Sequence, residues 1–241
     1  MSANARLQSV DLLRGLAIAL MIAFHFSYDL AHFGFARFDF YHDPFWLHAR
    51  TLILSTFLLT AGISLTLATR SGVRWRPYLR RLGWIAGCAA LISLASHLMF
   101  GPRWIFFGVL HFIAVASVIG LPFVRAPRLA LAAGLALLVL GNTVAHPVFD
   151  RPALQWIGLM THKPPTEDYV PLLPWFGVML VGVFLGDRLR THAPSARLAR
   201  WRSDRPPARL LAFAGRHSLL IYMLHQPLLI GMLWLVKRAL A

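Results

Sequence analysis

Cysteine is nearly absent from this sequence, because Cys88 is the only one among 241 residues. A single thiol excludes an intrachain disulfide and any zinc site built from several cysteines. The sequence also lacks a glycine-rich phosphate loop, an HExxH pair, a GxSxG turn and a CxxCH haem motif. P-loop, zincin, hydrolase and c-type haem functions therefore have no sequence support, and we expect no metal cofactor.

Acidic residues are also scarce, with nine Asp and Glu against 24 Lys and Arg, which gives a net charge of +15. A nucleic-acid partner is not expected, because the basic residues alternate with long apolar runs instead of forming one basic face. The chain is 58% hydrophobic with a mean hydropathy of +0.61. The N-terminal apolar run is too long and too charged for a signal peptide. The sequence therefore predicts an integral membrane protein in contact with membrane lipids.

Apolar runs of about 20 residues, the length that crosses a bilayer, recur seven times along the chain. They lie near 9–31, 47–69, 80–100, 104–124, 128–145, 170–188 and 216–237. The sequence predicts an all-α polytopic transmembrane helical bundle of about seven spans, forming a single domain over residues 1–241.

Most basic residues fall beside the N-terminus or after the second, fourth and sixth spans. They are Arg6, Arg14, Arg70, Arg74, Arg76, Arg80, Arg81, Arg125, Arg128, Arg188, Arg190, Arg197, Arg200, Arg202, Arg205, Arg209 and Arg216. Because cytoplasmic loops carry excess Lys and Arg, the N-terminus is predicted to be cytoplasmic. The segment 190–215 is predicted to be a partly helical, headgroup-binding surface segment.

The first span carries four ionisable residues, Asp11, Arg14, His25 and Asp29. At about 100° per residue they share one narrow stripe on a helix that is otherwise apolar. Since charges in hydrocarbon are costly, this stripe should face a protein interior or a wet cavity. The alternative is a pair of surface contacts at the two ends of the helix, with Asp11 and Arg14 at one end.

Two other spans contain an internal histidine, His111 in the fourth and His225 in the last. Tyr222 lies on the same face of the last span as His225, and Gln226 and Pro227 follow. A single intramembrane histidine is commonly a hydrogen-bonded packing residue. Together with His25, these positions favour a shared polar cavity.

The predicted non-cytoplasmic loops hold further histidine and carboxylate residues. Asp39, His42 and His48 lie in or just after the first outer loop, and Asp168 lies in the third. An imidazole oriented by a carboxylate can take a proton from an amine or hydroxyl that attacks a carbonyl, or can carry an acyl group itself. Acyl transfer, proton-coupled transport, or neither remains open on these residues alone.

The opening LQSVDLLRGLAIALMIAFHF resembles the start of the heparan-α-glucosaminide N-acetyltransferase catalytic-domain family, in its bacterial branch. The likeness continues in order through FLLTAGISL, GVLHFIAVASVIGLPF, DYVPLLPWFGVMLVGVFLG and GRHSLLIYMLHQPLL. The resemblance implies a multi-pass acyltransferase of the bacterial inner membrane that uses acetyl-CoA as co-substrate. The acceptor would be an amino sugar or other glycan on the non-cytoplasmic side.

In that family the catalytic histidine lies in the loop after the first core helix, shortly before a tryptophan. His42 is the closest match, with His48 as the reserve and His25 as a third candidate; either Asp168 or Asp39 could orient the His42 ring. The pocket and binding residues predicted around them are Asp11, Arg14, Asp29, His111, Asp168, Trp175, Tyr222, His225 and Gln226. The competing function is a transporter or flippase of a small polar or anionic solute, and a third is a non-catalytic scaffold. The oligomeric state, including a homo-oligomer, is left open.

Overall fold

The computed structural model describes residues 7–192 and 201–240. Three of the basic residues named above lie outside the described residues: Arg6, Arg197 and Arg200. Residues 193–200 of the predicted surface segment also lie outside them. The α-helices of the described part are α1 Gln8–His32, α2 Pro44–Thr69, α3 Trp75–Phe100, α4 Val109–Ile119, α5 Leu121–Val124, α6 Pro127–Thr143, α7 Leu172–Thr191, α8 Pro206–Arg216 and α9 Ser218–Leu240.

Helices α1, α2, α3, α7 and α9 are long and apolar enough to cross a membrane. These helices present apolar side chains on their outer faces. On α3, for example, Leu91, Leu94 and Leu98 are each more than half exposed. Such a continuous apolar surface is unfavourable in water and is satisfied by lipid. The predicted all-helical membrane fold is therefore confirmed, and the chain is a membrane protein.

The predicted fourth span is shorter than expected, whereas the fifth, predicted at 128–145, agrees with helix α6 within two residues at each end. The span predicted at 104–124 was wrong at its start, because α4 begins only at Val109. The residues before it are extended: Phe107 forms an isolated parallel bridge with Tyr169, and Val170 donates its N–H to the Phe107 carbonyl at 3.1 Å. Pairing with the segment before α7 thus replaces the first turns of the expected helix. Helix α6 has 17 residues, or about 26 Å at 1.5 Å per residue.

The chain separates into two compact units, with a boundary inside α2. We call residues 58–192 the middle unit and residues 7–57 with 201–240 the terminal unit. The single-domain expectation for 1–241 stays a prediction.

In the middle unit, glycines let helices pack backbone against backbone. A Cβ at Gly62 of α2 would meet the Met179 carbonyl of α7, and one at Gly134 of α6 would meet the Gly177 carbonyl at 2.9 Å. An ion pair with a buried carboxylate lies in this unit: the half-buried Arg70 contacts Asp187 at 3.2 Å and also donates to the Val124 carbonyl at 2.9 Å. Small residues at helix crossings are the usual packing solution in membranes, because lipid provides no hydrophobic drive between helices.

In the terminal unit, α1 packs against α8 and α9. Gln8, at the start of α1, exchanges two hydrogen bonds with the Ser203 backbone at 2.8 and 2.9 Å. Helix α8 begins with Pro206 and Pro207, which suit a first helical turn because its N–H groups have no intrahelical acceptor. The predicted surface segment is thus helical over Pro206–Arg216.

Candidate functional site

The ionisable stripe of α1 lies against α8 at its first turns. Arg14 Nη1 is 3.4 Å from Asp11 Oδ1 and 3.3 Å from the Gly215 carbonyl of α8. Asp11 is only 7% exposed. The i,i+3 pair forms, but it is packed against another helix of the terminal unit, so this end of the stripe faces a protein interior.

Further along the stripe, His25 of α1 faces His225 of α9. Their ring centroids are 5.1 Å apart and the rings are tilted by 55°. The Tyr222 carbonyl accepts a hydrogen bond from His225 Nδ1 at 2.7 Å. A carbonyl can only accept, so Nδ1 carries the proton and Nε2 is left with a lone pair. Within the described residues, that buried Nε2 has no hydrogen-bond partner.

One turn beyond His25, the Asp29 carboxylate meets the next residue of α9. Asp29 is 3% exposed, and its nearest polar neighbour on α9 is the Gln226 side chain. Asp29 Oδ2 and Gln226 Oε1 are buried and have no hydrogen-bond partner among residues 7–192 and 201–240. Two successive turns of α1 therefore meet α9 through polar side chains.

The loop between α1 and α2 holds a histidine–aspartate pair. His42 Nδ1 lies 3.0 Å from Asp39 Oδ2 and 3.1 Å from Oδ1. An Nδ1–H donated to the carboxylate leaves the lone pair on Nε2, which is the form that a general base requires. The His42 side chain is 86% exposed, so its ring is open to a substrate. Of the two orienting residues considered for His42, the structure places Asp39 beside it.

Asp39 is itself held by backbone groups. The N–H of Tyr41 and the N–H of His42 donate to Asp39 Oδ1 at 3.0 and 2.9 Å. These two N–H groups, first that of Tyr41, lower the pKa of the Asp39 carboxyl. A depressed carboxyl pKa stabilises the folded loop above the unfolded value and loses that contribution as pH falls through the folded value. The carboxylate is therefore charged, and oriented toward His42, at neutral pH.

Aromatic side chains fix this loop on α1. Phe40 is 6% exposed and packs on Trp46 with centroids 4.3 Å apart. It also contacts Phe24 at 5.4 Å and Tyr28 at 5.2 Å in edge-on arrangements. The Tyr28 and Tyr41 hydroxyls are 3.5 Å apart. The segment that carries Asp39 and His42 is thus anchored by ring packing, although both of those side chains remain accessible.

His111, in the middle unit, is engaged at both ring nitrogens. Gly108 donates its N–H to His111 Nδ1 at 3.2 Å, so Nε2 carries the proton. That Nε2–H points to Ser93 Oγ at 3.0 Å, and the Ser93 hydroxyl donates to the Ile105 carbonyl at 2.6 Å. With donor and acceptor both used, the His111 ring braces the start of α4 against α3.

Replacing His111 with alanine should lower stability more than chemistry. The change leaves the Gly108 N–H and Ser93 hydroxyl without this partner, at a cost of about 1–3 kcal/mol. We expect a lower melting temperature in nanodiscs and little change in turnover per folded molecule. A variant that melts normally but turns over slowly would instead make His111 part of the reacting site.

The remaining predicted residues have other surroundings. Asp168 belongs to the middle unit and accepts the Val109 N–H at 3.1 Å, where its charge suits the N-terminus of α4. A Cβ at Gly108 would meet the Asp168 carboxylate, which would then have to shift. Trp175 is half-buried in α7, and His48 is exposed on α2. Sequence reasoning missed Ser93, which gave no signal because it lies on a different helix from His111.

Metal-ligating side chains do not converge within the described ranges: no three His, Cys, Asp or Glu residues there are placed to hold an ion. His42 is instead paired with a single carboxylate, His25 with another ring, and His111 with a backbone N–H and a hydroxyl. Proton transfer and hydrogen bonding are the chemistry that this arrangement supports.

The sequence of this chain matches the profile of a known protein family. The sequence profile described as "Heparan-alpha-glucosaminide N-acetyltransferase, catalytic" matches residues 6–227. The chain belongs to that family. The match runs through both units and includes the α1–α2 loop and most of the polar contact between α1 and α9. No curated protein and no solved structure matches the chain.

Membership in the heparan-α-glucosaminide N-acetyltransferase family supports a membrane acetyltransferase-like function. It agrees with the resemblance seen in the ordered motifs from LQSVDLLRG to MLHQPLL. The family description itself names a transferase, and the helices place such a transferase in a membrane.

Proposed function

We propose that this protein is a membrane acyltransferase of the bacterial inner membrane. It moves an acetyl or similar acyl group from a cytoplasmic CoA thioester to an amino-sugar or other glycan acceptor on the opposite side. The observation that carries the proposal is the Asp39–His42 pair, an exposed imidazole oriented by a charged carboxylate in the loop after α1. Family membership supplies the reaction class.

In the proposed transfer step, His42 acts as the general base. The acceptor nitrogen or oxygen forms a bond to the thioester carbonyl carbon, and His42 Nε2 takes the proton that this atom loses. The C–S bond then breaks, and the CoA sulfur leaves as thiolate and receives the proton that His42 Nε2 took, which returns the ring to its neutral form. Asp39 holds the ring in the required tautomer and stabilises the imidazolium that forms, as the carboxylate does in a Ser-His-Asp triad.

The acyl donor, a CoA thioester, would bind at the arginine-rich segments that are predicted to be cytoplasmic. In the terminal unit, a groove of about 540 Å³ is lined by Gln8, Asp204, Arg209, Phe213 and Arg216. Guanidinium groups suit phosphates, because they can donate two parallel hydrogen bonds to neighbouring oxygens. Such arginines would attract the phosphates of acetyl-CoA at this end of the terminal unit.

Release of free CoA thiol from acetyl-CoA by the purified protein in nanodiscs tests the function. We expect release to rise at least several-fold when glucosamine-type acceptors are added. Stimulation by hydroxyl-only glycans would keep the acyltransferase and change the acceptor class. Absence of release with every acceptor, and of any thermal shift with acetyl-CoA, would overturn the proposal and favour solute transport.

A further inference from the structure

The segment that leads from the end of α7 through α8 carries a large excess of positive charge. Between residues 188 and 216 the sequence contains eight arginines and one acidic residue, Asp204. The sequence of residues 193–200 adds two of these arginines and no carboxylate. The segment therefore holds too few carboxylates to neutralise its own charge, and it attracts anions.

The stretch of residues 201–205 within this segment is fixed to the start of α1. Gln8 Nε2 donates to the Ser203 carbonyl at 2.8 Å, and the Ser203 N–H donates to Gln8 Oε1 at 2.9 Å. The two residues are 195 positions apart in the sequence, and both belong to the terminal unit. The position of the stretch is thus set by a tertiary contact that uses both ends of one amide side chain.

Beside these hydrogen bonds, the stretch forms a groove of about 590 Å³ with the first residues of α8. We call it the Trp201 groove. Its lining residues are Trp201, Arg202, Ser203, Arg205, Pro207 and Ala208. Among the described residues, no carboxylate lines it, because Asp204 lines the neighbouring groove instead. The Trp201 groove therefore presents two guanidinium groups and an indole to a ligand.

The two guanidinium groups of the groove are not engaged by the described part of the protein. Arg202 and Arg205 are exposed, and within residues 7–192 and 201–240 their side chains form no hydrogen bond and no ion pair. A guanidinium group can donate two parallel hydrogen bonds to the oxygens of one phosphate. A phosphate group is therefore the anion that complements this groove best.

Helix α8, which continues from the groove, indicates the source of the phosphate. Its buried residues are Ala212 and Gly215, whereas Leu210 and Phe213 are 68% and 50% exposed. Trp201 is also 45% exposed. Exposed apolar side chains beside arginines are typical of a helix that lies in the membrane interface, where arginines reach the headgroups and tryptophan is enriched. The phosphate should therefore belong to a lipid.

We propose that the Trp201 groove binds the headgroup of an anionic phospholipid. Arg202 and Arg205 donate to the phosphate oxygens, the Trp201 ring lies at the headgroup level, and Leu210 contacts the acyl chains. On the charge-derived orientation this lipid belongs to the cytoplasmic leaflet, where anionic headgroups attract basic segments. The inference is independent of acyl transfer, since it uses neither His42 nor the arginines that line the groove assigned to the CoA phosphates.

Native mass spectrometry of the full chain in detergent with added lipid tests the groove. The probes are phosphatidylglycerol, which is anionic, and phosphatidylcholine, which is zwitterionic, with identical acyl chains. We expect tighter binding of phosphatidylglycerol, by about fivefold for each of the two arginines. The double variant Arg202→Gln/Arg205→Gln should bind both lipids equally. It should melt like the natural protein in phosphatidylcholine nanodiscs, because both side chains are exposed.

Arg125→Gln/Arg128→Gln is the matched control, because it removes the same charge from two exposed arginines that are predicted to lie on the same side of the membrane. It should keep the preference for phosphatidylglycerol. A preference that persists in the folded Arg202→Gln/Arg205→Gln variant, or that falls equally in the control, would overturn the proposal and leave only a general attraction between charges.

Gln8→Leu separates the geometry of the groove from its charge. This variant keeps every arginine but loses both hydrogen bonds to Ser203, so we expect the preference to fall several-fold. An unchanged preference would also overturn the proposal, because surface charge alone would then explain the binding.

Soluble phosphate compounds distinguish a lipid from other phosphate ligands. Inorganic phosphate and free CoA carry phosphate groups but no acyl chain that could contact Leu210. We expect an excess of either compound to leave phosphatidylglycerol bound. Displacement of the lipid would overturn the proposal and assign Arg202 and Arg205 to a soluble phosphate.

Discussion

His42→Ala should reduce acceptor-dependent CoA release by about 10²–10⁴-fold, the usual contribution of a positioned general base. The side chain is 86% exposed and its ring makes its contact with Asp39, so its removal leaves no cavity. We therefore expect the variant to fold and melt like the natural protein. Thiol release under single-turnover conditions, beside a thermal melt, measures both effects.

His162→Ala is the matched control for this prediction. His162 is also an exposed loop histidine near a carboxylate, with Nδ1 3.7 Å from Asp150 Oδ1, but it belongs to the middle unit. Its loss should leave release unchanged. Full activity in His42→Ala would contradict the assignment, and loss in His48→Ala instead would move the base to α2.

Asp39→Asn separates orientation from proton transfer. The amide keeps the shape but can present its NH₂ group to His42, which favours the wrong tautomer of the ring. We expect a smaller loss than in His42→Ala, confined to turnover and absent from acceptor binding.

Gly15→Ala should have the largest effect on folding. A Cβ at Gly15 of α1 would overlap the Leu211 carbonyl of α8, and one at Gly215 would overlap the Asp11 carbonyl of α1. Both obstacles are backbone atoms, so side-chain movement cannot relieve them, and the two helices would have to separate. We expect a cost of about 3 kcal/mol, at the upper end of measured overpacking effects, with loss of most folded protein in fluorescence-detected gel filtration.

Gly231→Ala provides the comparison, because this glycine is also helical but a Cβ placed on it would meet no neighbouring atom within 4 Å. Alanine there should be neutral or stabilising by about 0.5–1 kcal/mol, since it reduces the freedom of the unfolded chain. Equal tolerance of the two substitutions would contradict the close α1–α8 crossing.

The close crossing also explains how the Asp11–Arg14 pair becomes buried. Arg14 reaches the Gly215 carbonyl only because α8 approaches α1 at Gly15. A separation of these helices should therefore expose Asp11 and weaken the Asp11–Arg14 ion pair at the start of the stripe. Stability and polar geometry are coupled at this point of the terminal unit.

The sequence by itself determined the membrane class, the long helices and the polar stripe of α1. These follow from local properties: the length of apolar runs sets the spans, and the 3.6-residue period places Asp11, Arg14, His25 and Asp29 on one face. The ordered motifs also indicated the family. What local pattern could not decide was which groups the stripe would meet.

Only the tertiary structure determines which side chains contact each other. His25 meets His225 and Asp29 meets Gln226 across about 200 residues of sequence, and the His111 ring is occupied by Ser93, which lies on another helix. Asp39 is one of the two residues considered for orienting His42. It lies beside the His42 ring because its carboxylate also accepts the backbone N–H of His42 in the same loop. Hydrogen-bond partners depend on where helices cross, and helix crossings are set by packing between distant segments, which no single periodic pattern contains.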